Sequence, residues 1–314
     1  MTDAAEVAAP ARPETRPETH PETHWAPRLR VPLGPLLGQA TGLVPFFLFT
    51  GLFLLWPTIY IVLGAFRDGS GGWTLDNLRG LNTPSIRNAY WVSIKVSGLS
   101  AFFGCLVGFA MAAAVVLGGL PRFVRSPLLT FSGVASNFAG VPLAFAFIAT
   151  IGPAGLVTLW LRQDLGINLR AYGFNLLSTH GLILTYLFFQ IPLMILIITP
   201  ALDGLRREWR EAAEVLGATG AQYWRMVALP ILFPSLLGTL ALLFANAFGA
   251  VATAIALTGS SLNIAPILLY AQIRGDVLGN PALGYALATG MIVITGVANG
   301  LYIWLRARSE RWLR

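Results

Sequence analysis

Charge is what this chain has least of. Asp, Glu, Lys and Arg make up 11% of its 314 residues, against roughly one-quarter in ordinary soluble domains, so a water-solvated globular surface is excluded. No Asp or Glu falls within any of the long apolar runs. Proton- and ion-coupled transporters generally carry ionisable groups at that depth, and a secondary transporter or pump core would lack its usual chemistry here. The only lysine is Lys95, in Ile94-Lys95-Val96. A phosphate-binding loop, Gly-x-x-x-x-Gly-Lys-Ser/Thr, is therefore missing, and with it an ATP site on this chain. The single cysteine, Cys105, excludes an intrachain disulfide and reads as packing. The histidines His20, His24 and His180 have no partner set for a hydrolase or a metal site. His20 and His24 lie four residues apart, but in a Pro-rich tail where solvated side chains are the ordinary case.

What fills the chain instead is apolar sequence, 55% of it. A hydrocarbon core takes roughly 20 apolar residues to cross by helix. Runs of that kind are expected at about 42–66, 90–117, 128–151, 180–202, 231–257 and 283–305. Arginines follow the same topology. Arg122, Arg125, Arg206, Arg207, Arg210, Arg225 and those of the two tails fall on one side, while Arg67, Arg79, Arg87, Arg162, Arg170 and Arg274 fall on the other. The heavier side is the cytoplasm, which puts both termini there. A nucleic-acid surface would gather its basic residues on one folded domain, and no segment outside the membrane is large enough.

Residues 1–30 contain the near-repeat Arg12-Pro13-Glu14-Thr15, Arg16-Pro17-Glu18-Thr19-His20 and Pro21-Glu22-Thr23-His24. That composition predicts a disordered cytoplasmic tail; residues 31–305 then form the six-span domain and 306–314 a short cytoplasmic tail. A Gly-rich turn followed by Trp73 suits the first external loop. Leu156-Val157-Thr158-Leu159-Trp160-Leu161 suits a short interfacial helix in the second. Ser136, Asn137, Gln190 and Asn246 are the polar groups at membrane depth; each either lines a solute path or bonds between helices.

The densest charge between the first span and the C-terminal tail lies at 205–230. On a helix, Leu205, Trp209, Ala212, Ala213 and Leu216 form one apolar face, with Arg206, Arg207, Arg210, Glu211 and Glu214 opposite. Gly217 stands where a helix would stop, and Ala218-Thr219-Gly220-Ala221 are small enough to let another backbone approach. A second short helix is expected over 221–228, ending at Leu229-Pro230, where the proline opens the next span.

These residues carry a resemblance. Glu211-Ala212-Ala213, three residues, Gly217, nine residues, Val227, one residue, Leu229-Pro230 resembles the signature loop of permease subunits of binding-protein-dependent ABC importers, with Val227 in place of the usual isoleucine. The resemblance extends over most of residues 40–305. It implies an all-α integral membrane protein of six transmembrane helices with the type I ABC importer permease fold, multi-pass in the bacterial cytoplasmic membrane. It implies a pore-forming transport subunit and not an enzyme. ATP and Mg are then bound by a partner, and this chain holds no cofactor. The implied partners are two ABC ATPase subunits, a second permease (a different one favoured over a copy) and an extracytoplasmic solute-binding protein. Ala218 to about Met226 would dock in a groove of the ATPase, Glu211 would pair with a basic group there, and Gly217 would allow the reversal between helices. Ala252 to Ser260 and Ala265 to Ile273 look more like permeases for polyamines, ferric iron and phosphonates than those for sugars; a sugar or oxyanion permease of the same family is the alternative.

Overall fold

The computed structural model describes residues 43–118, 121–259, 261–274 and 280–310. The tail at 1–30, with its expected disorder and His20 and His24, lies outside the described residues, as do 31–42 and 311–314. Six helical stretches are long and apolar enough to cross a membrane: Leu43–Gly64, Pro84–Leu117, Val141–Gln163, Thr179–Asp203, Gly220–Phe248 and Pro281–Trp304. The described chain is all-α, and its only β feature is one isolated bridge between Arg67 and Trp73.

Two compact units divide at Leu54. In the first, the rings of Phe46 and Phe47, and of Phe49 and Phe53, pack in pairs along an otherwise exposed apolar helix. In the second, α1 is Trp56–Gly64, α2 Asp76–Gly80, α3 Pro84–Leu117, α4 Arg122–Asn137, α5 Val141–Ile151, α6 Leu156–Gln163 and α7 Thr179–Asp203. After it come α8 Arg207–Val215, α9 Gly220–Tyr223, α10 Leu229–Phe248, α11 Val251–Thr258, α12 Ala265–Arg274 and α13 Pro281–Glu310.

The second unit is organised around α7, 61% of whose apolar window is buried against at most 33% in any other span. α7 presses most extensively on α3. The closeness is set by two glycines of α3: a Cβ on Gly104 would lie 2.8 Å from Gln190 Cβ, and one on Gly108 2.6 Å from Met194 Cβ. Small residues that let backbones approach are the usual adhesive of membrane helices, where burying apolar surface gains nothing over lipid. Two apolar clusters result, one around Tyr186, Phe189, Leu143 and Leu257, the other around Met194, Ile198, Leu202 and Leu232.

The third and fifth runs differ from expectation. The third apolar stretch is Val141–Gln163 and not 128–151, because Ser126, Thr130, Ser132, Ser136 and Asn137 dilute α4. The expected interfacial helix is α6, the end of this stretch, set off by a turn at Gly152 to Gly155. α4 nevertheless lies alongside α7: Arg125 grips Asp203 through two contacts of 2.6 and 2.8 Å, and Phe138 meets the ring of Phe188 at 6.1 Å. α4 is thus antiparallel to α7 and shares its depth. The fifth run begins at Gly220 and its long helix ends at Phe248, short of the expected 257.

Candidate functional site

The segment at 205–230 builds its turn from its own residues. Arg206 lies 5.9 Å over the Trp209 ring, and Arg210 Nε bonds Glu214 Oε1 at 3.0 Å, four residues on. Glu211 has no hydrogen-bond or ion-pair partner among the described residues. α8 then stops at Gly217, whose φ of +78° is a left-handed conformation. The Ala218 N–H donates to Ala213 O at 2.9 Å and the Gly217 N–H to Glu214 O at 2.9 Å, the paired bonds of a Schellman stop. Two residues later α9 opens with a capping box: Gln222 N–H donates to Thr219 Oγ1, and Thr219 N–H to Gln222 Oε1 at 2.7 Å. Gly220, Ala221 and Ala212 are exposed, while Ala213 and Ala218 are half-buried.

Two expectations are corrected here. Leu216 is expected on the apolar face of the helix, but α8 ends at Val215; Val215 and Leu216 are both 87% exposed and Met226 is 73% exposed. The cause is the stop at Gly217, which withdraws that turn from the helix before it reaches the bundle. Second, the helix after Gly220 does not end at Leu229-Pro230. It continues through a π segment, Trp224–Ala228, straight into α10. Pro230 has no N–H for the Met226 carbonyl and its ring crowds that carbonyl, a break in an ordinary helix. Here the turn before it is widened, with Leu229 N–H donating five residues back to Trp224 O, so the helix passes the proline. Leu229 and Pro230 are exposed at that joint. Tyr223 is buried and Trp224 meets Phe109 edge-on at 6.2 Å, which anchors the short helix in the bundle.

At membrane depth the four expected polar groups do not form one cluster. Ser136 Oγ and Asn137 Nδ2 both bond back to Gly133 O on their own helix. Asn246 is exposed near the end of α10. Gln190 is fully buried on α7, its Nε2 donating to Leu243 O at 2.9 Å and its Oε1 without a partner. Asn137 and Asn246 do share a situation: each lies just before an interruption of its helix, at 138–140 and 249–250.

Each interruption is held by a side chain from another helix. The Gly140 N–H donates to Thr253 Oγ1 at 2.7 Å, and Tyr186 Oη donates to Ala250 O at 2.9 Å. Backbone groups released by a broken helix inside lipid need such partners. Neither Thr253 nor Tyr186 was singled out in the sequence; both resemble ordinary apolar-run residues until the breaks are known. Asp203 likewise went unnoticed, although an acid at the end of an apolar run is itself a signal.

No protein-family profile matches the chain. It is 27% identical over 214 residues to a probable sulfate transport system permease protein, cysT, of Chlorella vulgaris, covering 66% of this chain and 76% of that one. With the sulfate transport system permease protein CysW of Escherichia coli K12 it shares 26% over 234 residues, 74% of this chain and 72% of the relative. The spermidine/putrescine transport system permease protein PotB of Haemophilus influenzae matches at 25% over 267 residues, 82% and 89%. Among solved structures, a bacterial ABC transporter involved in the import of the acidic polysaccharide alginate superposes with a TM-score of 0.66 at 18% identity, covering 88% of this chain and 96% of that one. The MetNI methionine ABC transporter in an inward-facing conformation gives 0.51 at 16%, covering 71% and 95%. These two likenesses are likenesses of fold.

Proposed function

We propose that this chain, a multi-pass ABC importer permease subunit of the inner membrane and not an enzyme, forms half of a solute pore and is driven through its 205–230 segment by a separate ATPase. The observation that carries the proposal is the construction of that segment. It is held by its own bonds, presents Val215, Leu216 and an unpaired Glu211 to solvent, and from Gly220 onward runs without a break into α10. A force on Thr219 to Tyr223 is thereby transmitted to a membrane-crossing helix. This side is the cytoplasmic one in our reading; the Arg67–Trp73 hairpin faces the solute-binding protein. A second permease completes the pore, and nucleotide and Mg reside on the ATPase.

For the solute, an oxyanion is favoured over a polyamine or ferric iron. The relatives named for sulfate support it, and so does the absence of an acid in the interior of α3, α7 and α10, since a polycation would need carboxylates along its path. The test is uptake of labelled sulfate or spermidine into vesicles bearing the full chain with its ATPase, second permease and binding protein. ATP-dependent uptake is expected; Glu211→Lys or Gly217→Pro should abolish it with the protein still inserted. Unchanged uptake in both variants would remove the drive role, and spermidine uptake without sulfate uptake would overturn the solute class.

A further inference from the structure

The two cations near the start of α3 are left over by this reading. Lys95 is exposed on α3 and pairs with no carboxylate among the described residues, and neither does Arg87 two turns before it. Between them Trp91 is 66% exposed. The spacing of four residues puts the three side chains in one row.

Their depth follows from the helix. α3 has 34 residues, about 51 Å at 1.5 Å per residue, well beyond the roughly 30 Å of hydrocarbon. The apolar run Leu99 to Leu117 alone accounts for about 28 Å of that thickness. Lys95 is one turn outside it, at the level of phosphate and glycerol, where Trp also settles.

Directly below the row lies a groove of about 370 Å³ between α3, α10 and α13, bounded by Gly98, Phe102, Leu240, Phe244, Ala298 and Tyr302. Gly98 leaves it open: a Cβ there would meet nothing within 4 Å. The Tyr302 ring closes its far end over Gly238. The rim is apolar and exposed, with Phe102 and Leu301 each at 55%. Small residues of the lining, Gly98, Ala101, Ala241 and Ala298, give the groove its depth, and no charged residue lines it.

We infer that the groove seats an acyl chain of a phospholipid with an anionic headgroup, held at its phosphate by Lys95 and flanked by Trp91 and Arg87. Two cations without a carboxylate favour a net-negative headgroup over a zwitterion, which brings its own ammonium. The groove gives the chain a fixed seat about 5–10 Å below Lys95, the distance spanned by Gly98 and Phe102 along the helix.

The test is native mass spectrometry of the full chain in detergent, titrated with palmitoyl-oleoyl phosphatidylglycerol or phosphatidylcholine. Wild type should retain one phosphatidylglycerol in preference to phosphatidylcholine. Lys95→Gln should lower that retention about fivefold, the fold-change of one lysine's attraction to an anionic surface, with Lys95→Arg restoring it. Gly98→Leu, whose Cβ meets nothing within 4 Å and whose branches occupy the open seat, should lower retention of both lipids. Melting of each variant in detergent, unchanged, shows that it is folded. Equal retention of the two lipids by wild type, no loss in Lys95→Gln and Gly98→Leu, or a second copy of the chain protecting this face would each overturn the inference.

Discussion

Gly217 and Gly140 both sit in helix interruptions with positive φ, at +78° just after α8 and +76° at the start of α5, yet the two interruptions are held in opposite ways. At Gly217 every new bond is local: the stop uses Ala213 and Glu214, the restart uses Thr219 and Gln222. At Gly140 the N–H is taken by Thr253, 113 residues away, and the companion break at 249–250 leans on Tyr186. In water a loose backbone group can always find solvent; in lipid it cannot. A break in the loop therefore needs only a short sequence of suitable residues, whereas a break in the membrane needs the whole bundle.

The contrast can be broken by substitution. Gly140→Ala is expected to cost the most, about 2–3 kcal/mol, because φ +76° with ψ −147° is a region open to glycine alone; the space itself is free, with Ala252 Cβ 3.9 Å away. Thermal melting of the purified protein reads the loss. Thr253→Val should cost about 1–2 kcal/mol by leaving the Gly140 N–H without an acceptor, and Thr253→Ser should recover most of it. Gly217→Ala should cost only about 1 kcal/mol, the left-handed region being strained but reachable with a Cβ. Its melting should hardly change while ATP-driven uptake falls. Were Gly217→Ala to melt as early as Gly140→Ala, the local account of the loop would fail. Thr219→Ala should fray α9 by about 1 kcal/mol, seen as faster amide exchange at Gln222 and Tyr223 alone.

The smallest effect concerns the hairpin at 67–74. The Ser70 hydroxyl at 2.7 Å, then the N–H groups of Gly72 and Ser70, hold the Asp68 carboxyl below its ordinary value of 3.8. A lowered carboxylate stabilises the fold above its unfolded value and ceases to as pH falls through the folded one. Amide exchange at Ser70 and Gly72 should thus quicken only below about pH 4, and Asp68→Asn should flatten that profile.

The same contrast governs what could be read from the amino acids. Gly217 and the amphipathic α8 are announced by neighbours within a few residues, and that part of the loop was legible for that reason; the pairing of Thr219 with Gln222 was not read. Even there the π segment escaped, because Leu229-Pro230 reads as a boundary until the carbonyl of Trp224 is seen to receive Leu229 N–H. The number of apolar stretches was legible from length alone, but not the bounds of the third and fifth or the interruptions, since Thr253 is one threonine among several and Tyr186 one aromatic in an apolar run. Gln190 was picked out as polar at depth, and its burial against Gly104 with one oxygen unsatisfied depends on how closely α3 and α7 approach.

The π segment at Trp224 has a geometric consequence for everything before it. A π turn holds about one residue more than an α turn, and each residue of an α-helix advances about 100° around the axis. Thr219 to Tyr223 are therefore out of phase, by roughly that angle, with the face they would present on an unbroken α-helix leading into α10. Removing one residue between 224 and 228 would leave composition, charge and hydropathy almost untouched and let the helix close up as α. It would also turn the end proposed to meet the ATPase to another side, like a key cut on the wrong edge.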